Sequence, residues 1–135
     1  MSFILRWSCV GTAYEKRPTD ELIRLYEKAA SEHGQANRRF DFRAGNPAAA
    51  TVAAIYRVIK SRGSEHQRML LPLLLSNDNG VRAWAAVHAL EFEPRQGEAI
   101  LSDLAKIEGL EGFHAKTALK VWREGSLRFP SVKLA

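Results

Sequence analysis

Apolar residues recur along this chain at steps of three and four, the spacing of one helix face. Sustained alternation of β-branched and polar residues, the signature of a half-buried strand, is absent throughout. Leu22, Tyr26, Ala29, His33, Ala36 and Phe40 make the first stripe, which predicts one long helix or two collinear pieces. Gly34 is the expected weak point, because glycine inside a helix costs about 1 kcal/mol against alanine. Thr19 is placed to cap this helix, with Asp20 and Glu21 at the positive end of its dipole. Ala44-Gly45-Asn46-Pro47 reads as a break, after which Ala48, Val52, Ile55, Tyr56 and Ile59 form a second stripe that Gly63 ends.

The third element runs from Ser64 through Leu70, Leu73 and Leu74 to about Ser76, with a kink expected at Pro72. Asn77-Asp78-Asn79-Gly80 supplies a turn in which Asp78 or Asn79 caps the fourth helix. That helix carries Val81, Trp84, Ala85 and His88 on one side and Ala83, Ala86, Val87 and Leu90 on the other, so it has no broad side suited to water. Neighbours must cover it. Glu93-Pro94 opens the fifth helix, marked by Ile100, Leu101, Leu104 and Ala105. Gly109 to Gly112 makes the next turn, and the sixth helix runs from about Phe113 to Glu124 with Ala115, Ala118, Leu119 and Trp122 inward. Gly125 follows as a left-handed cap.

The leucine block Leu70-Leu71-Pro72-Leu73-Leu74, then Asn77-Asp78, Val81-Arg82, Ala85-Ala86 and Leu90, resembles a HEAT-type repeat. The wider stretch from about Thr19 to Leu127 is similar to a small bacterial family of all-helical proteins related to HEAT repeats. That similarity rests on Asp20-Glu21-Leu22, the run Leu70 to Ala86 and the ending Leu119 to Gly125. The resemblance implies an all-α fold of about six helices in antiparallel hairpins, forming a HEAT-like fragment of a right-handed α-α superhelix. It brings no activity and no functional residues. On this reading residues 1–17 are an N-terminal extension, docked or loose, residues 18–127 are the helical domain and residues 128–135 a tail without periodicity.

A chain of 135 residues with 46% hydrophobic content suffices for one domain with a sizeable core. The single cysteine, Cys9, excludes an internal disulfide and multi-cysteine zinc frameworks, and a reducing cytoplasm is the expected compartment. No run reaches the ~18 to 20 apolar residues that cross a bilayer, so no membrane role is expected. The net charge of +5 is unevenly spread: residues 1–45 carry +2, 46–76 carry +3, 77–111 carry −4 and 112–135 carry +4. This pattern predicts a surface with an acidic region between basic ones, able to steer a charged partner.

Catalytic constellations are absent from the pattern. His33, His66, His88 and His114 have no i, i+4 histidine partner and no His-Glu-x-x-His motif, so no metal is expected; His66 and His114 read as exposed, His33 and His88 as structural. There is no phosphate-binding G-x-x-x-x-G-K loop and no G-x-S-x-G elbow, and Glu91, Glu93, Glu98, Asp103 and Glu108 are spread along ordinary helix faces. Neither an enzymatic activity nor a cofactor is expected. Trp84 and Trp122 read as core anchors.

Two basic stripes form the candidate binding surface: Arg57, Lys60 and Arg62 on the second helix and Lys116, Lys120 and Arg123 on the sixth. These expectations amount to a non-enzymatic helical module that binds another protein or its own copy. The alternatives are a nucleic-acid binder that grips phosphates through the two stripes and an immunity protein that neutralises a toxin through the acidic segment 77–111.

Overall fold

A computed structural model describes residues 13–125, and the described chain is all-α with no strand. After a helical turn at 13–15 come α1 (Thr19–Arg38), α2 (Phe42–Ser61), the short α3 (Ser64–Arg68) and a 3-10 segment, η1 (Leu71–Leu75). Then follow α4 (Asn79–Phe92), α5 (Pro94–Leu104) and α6 (Leu110–Arg123). α1 and α2 form one hairpin and α4 and α5 another; α1 packs across α4, η1 leans on α4, and α6 packs on α5 while touching α4 and α1. α4 therefore sits in the middle. Its Val81, Ala85, Ala86, Ala89 and Leu90 are all buried, joined in one core by residues such as Leu22, Tyr26, Ile55, Ile59 and Leu101.

The close crossing of α1 and α4 explains Gly34. A Cβ at Gly34 would lie 3.0 Å from Gly80 Cα, and one at Gly80 would lie 2.9 Å from the Ala30 carbonyl oxygen. The glycine is no weak point in a broken helix: α1 runs continuously through it, and its missing side chain admits the N-terminus of α4.

Four boundaries differ from the sequence reading. The break between the first two helices falls at residues 39–41, not at 44–47, because Phe40 adopts φ 55° and closes α1 as a glycine usually would. The Asp41 amide then donates to the Ala36 carbonyl and the Phe40 amide to the Asn37 carbonyl, while the Asp41 carboxylate caps α2 by accepting from the Ala44 amide. Pro47 lies inside α2. Thr19 is not a cap: Pro18 holds that position and Thr19 is buried, its hydroxyl 2.8 Å from His66 Nδ1 and accepting from Arg62 Nη1 at 2.9 Å.

At Pro72 the expected kink becomes a change of helix type, from α3 into η1, since proline fits the first positions of a helical segment while breaking a continuing one. α6 begins at Leu110, three residues early, on the Gly109 turn. Other boundaries agree: Asp78 caps α4 by accepting from the Gly80 and Val81 amides, Pro94 opens α5, and Gly125 has φ 75°.

Residues 14–17, assigned to the extension, are held on the domain. Tyr14 packs against the core, and Arg62 Nη2 donates to the Glu15 and Arg17 carbonyls at 2.9 and 2.6 Å. Residues 1–12 and the tail 128–135 lie outside the described residues.

Gly97 sets the spacing of the α4–α5 hairpin, because a Cβ there would come 2.6 Å from the Ala86 carbonyl oxygen and 3.0 Å from the Leu90 amide nitrogen. Gly97→Ala is expected to push α5 off α4 and cost about 1 to 3 kcal/mol, the range of overpacking substitutions. A lowered urea midpoint at unchanged slope is the readout; an unchanged midpoint would show that these helices part freely.

Candidate binding pocket

Where α1, α4 and α6 converge, they leave a pocket of about 510 Å³. Gly34 and Gly80, at the close α1–α4 crossing, line it together with Ile107 and Glu108 of the loop between α5 and α6. Most of the wall is hydrocarbon or aromatic: Phe40, Trp84, Val87, Leu104, Ile107 and Leu110. Polar groups sit among them, with His33, Asn37 and Arg38 from α1 and Glu108, Glu111 and His114 from the far side. The volume lies in the range of ligand-binding cavities, and an apolar pocket with a few polar groups is the common form of such a site.

Trp84 is half-buried on the pocket wall, not a fully enclosed core anchor, and its position is fixed by hydrogen bonding. Its indole Nε1–H donates to His33 Nδ1 at 3.1 Å, with the two rings edge to face at 5.3 Å. This bond places the proton of neutral His33 on Nε2. Half-burial, and then the nearby His114, hold the His33 pKa below its usual value and favour that neutral form. Across the pocket Arg38 Nη1 donates to Glu111 Oε1 at 3.0 Å. Glu111 Oε2 is buried and meets no hydrogen-bond partner among the described residues.

A second polar cluster centres on His88 of α4. His88, fully buried in the middle of α4, stacks on Tyr56 with ring centroids 3.8 Å apart and planes 6° from parallel. Its Nδ1 shares a 2.6 Å hydrogen bond with the Tyr26 hydroxyl, while the Tyr56 hydroxyl donates to Glu91 and accepts from Gln67 Nε2 at 2.9 Å. Burial, with a smaller contribution from Lys60, lowers the His88 pKa to about 3. The expectation for His66 is corrected: it is half-buried against Thr19. His114 is exposed, as expected.

α2, which carries Arg57, Lys60 and Arg62, packs chiefly on α1, and α6, which carries Lys116, Lys120 and Arg123, chiefly on α5. On α2, Arg57 is exposed, Lys60 pairs with Glu91 at 2.6 Å, and Arg62 is the clamp on Thr19 and residues 15–17. On α6, Arg123 pairs with Glu98 at 2.8 Å, while Lys116 and Lys120 are exposed beside a shallow depression against α5.

The predicted segregation of charge is also corrected, because residues far apart in sequence mix their charges in space. Carboxylates of the acidic segment 77–111 reach cations on either side of it: Glu91 to Lys60, Glu93 to Arg68, Glu98 to Arg123 and Glu111 to Arg38. Such exposed pairs contribute little stability each, typically up to about 1 kcal/mol.

Sequence reasoning missed the pocket because its wall draws on four separate segments, each unremarkable alone. The small pair Gly34 and Gly80 and the exposed position of Phe40 after a helix end were the available signals. Compared with family models, with curated proteins and with solved structures, the chain matches none.

The buried His88 predicts an acid-sensitive fold. The unfolded chain binds this proton near pH 6.5 and the folded chain only near pH 3, so stability is full above about pH 6.5 and declines as pH falls toward 3. Between pH 7 and pH 5 this one group accounts for about 2 kcal/mol. His88→Gln should remove most of that dependence in urea titrations at the two pH values; a variant with the wild-type slope would rule His88 out as its source.

Proposed function

We propose that this chain is a non-enzymatic binding module that recognises another protein by taking an apolar side chain of that partner into the pocket between α1, α4 and α6. The observation that carries this reading is the 510 Å³ apolar-walled pocket beside exposed aromatic rings. Phe40 on the pocket wall is 68% exposed, and Phe113, next in sequence to His114 and with its ring 6.0 Å from it, is 62% exposed. Exposed aromatic surface rimming a concave site is what a protein partner buries, and a few anchor side chains in such pockets carry most interface energy.

The HEAT-like reading of η1 and α4 supports the same function, since stacked helical hairpins are used as binding surfaces; this is analogy at the level of fold. The pocket is built largely from the stretch 79–111, the segment that also carried the toxin-neutralising alternative. Nucleic-acid binding is less supported, because Lys60, Arg62 and Arg123 are occupied by partners within the domain.

Panning a random peptide library on the full chain tests the proposal. Selected peptides should share a large apolar residue and should lose at least ten-fold in affinity for Ala83→Phe, which fills the pocket from α4, while circular dichroism shows that the variant stays folded. Peptides that bind the filled variant as well as the wild type, or a library that yields none, would overturn it. The pair Lys116→Glu with Lys120→Glu should leave peptide affinity within about two-fold and the fold unchanged. Loss of binding there would shift the site to the basic face of α6.

A further inference from the structure

The wall of the pocket carries a polar side chain that is both open and uncharged. Asn37, in the last turn of α1, lines the cavity and is only 8% exposed, and its side-chain oxygen and nitrogen bond to no group among the described residues. Both atoms nevertheless keep accessible surface, unlike Glu111 Oε2, which is cut off from solvent. Gly45 of α2 helps to leave the amide uncovered, since the nearest point of that residue's missing side chain, a Cβ, would stand 3.6 Å from Asn37 Oδ1. The charged groups of the wall offer less: Arg38 donates to Glu111 and also lies in the field of Asp78, and Glu108 is exposed. His33 is neutral, with its Nδ1 taken by the Trp84 indole. An apolar cavity and an unspent amide, which can accept at Oδ1 and donate at Nδ2, therefore occur together.

Resting on the reading of the pocket as the partner's anchor site, we infer that the partner enters as an extended peptide segment: one large apolar side chain fills the cavity, and the main-chain N–H and C=O of that same residue pair with Asn37 Oδ1 and Nδ2. A residue that pushes its side chain into an apolar pocket takes its own peptide groups out of water, and each then needs a partner. In extended backbone the N–H and C=O of one residue point the same way, as they do between paired antiparallel strands, so a single side-chain amide can answer both. In a helix the two groups point in opposite directions and are bonded within the helix, which leaves Asn37 unanswered.

Matched fragments separate recognition of the main chain from simple apolar filling. The full chain is titrated with N-acetyl-phenylalanine methylamide, with its ester analogue O-acetyl-phenyllactic acid methylamide, in which an oxygen replaces the phenylalanine N–H, and with 3-phenylpropanamide. The indole N–H signal of Trp84, assigned with Trp84→Phe, is followed by NMR. The phenylalanine fragment is expected to bind at least three-fold more tightly than either of the others. In Asn37→Leu it should bind within about two-fold of the ester; Asn37→Ala takes the place of this variant if circular dichroism shows the leucine chain unfolded. An ester that matches the phenylalanine fragment in the wild type would overturn the inference and leave the pocket reading standing. So would a match by 3-phenylpropanamide, because the amide would then be that of a partner's side chain. A three-fold advantage that persists without the Asn37 amide would also overturn it, since the main chain would be read elsewhere. A Trp84 signal that none of the three fragments moves would overturn both readings.

Discussion

The constraint on which the rest of the structure depends is that α4 has no side it can show to water. Its fourteen residues include a buried His88 and a run of alanine, valine and leucine that covers most of its circumference. A helix so apolar is stable only when enclosed, and its small side chains let the enclosing backbones come close. α1, η1, α5 and α6 all pack on it for that reason, and the Gly34–Gly80 and Gly97–Ala86 approaches are where they come nearest. The pocket follows from the same geometry. With α1 held against the first turn of α4 and α6 kept farther off by the α5–α6 loop, the face of α4 bearing Ala83, Trp84 and Val87 is left only partly covered.

His88 shows what full enclosure demands of a polar group. In the centre of the core it cannot be charged, so it stays neutral, bonds to Tyr26 and stacks on Tyr56. The cluster extends through Gln67 and Glu91 to Lys60 at the surface, tying α2, α3 and α4 together through directional bonds that apolar contacts alone do not provide. Trp84, one turn before His88 on α4, lies where this cluster meets the pocket: its ring is 5.7 Å from His88 on one side and 5.3 Å from His33 on the other.

Much of the fold was legible in the chain because its signals were local. The stripe Ala48, Val52, Ile55, Tyr56 and Ile59 is buried in full, and Asp78, Pro94 and Gly125 stand at the helix ends where capping chemistry puts them. The misplacements have tertiary causes. Phe40 takes a left-handed conformation that composition assigns to glycine, so the break moved five residues from Gly45. Thr19 looked like a cap from its neighbours, but is recruited as a buried hydrogen-bonding centre by Arg62 and His66, more than forty residues away. The candidate site was less legible still. Periodicity finds faces that are covered, whereas a pocket is a place where several faces fail to meet.

Charge shows the same division between order along the chain and order in space. The acidic segment 77–111 is flanked by basic ones in sequence, yet folding sets its carboxylates against Lys60, Arg68, Arg123 and Arg38. Each pair is weak, but together they set carboxylates of the acidic segment against cations of the basic segments that flank it in the sequence. What remains unbalanced is then informative. A cation that already holds a carboxylate, as Lys60 and Arg123 do, has less to offer a phosphate than an exposed one such as Lys116 or Lys120. Folding likewise divides Glu111, whose Oε1 accepts from Arg38 while Oε2 is buried with no hydrogen-bond donor among the described residues.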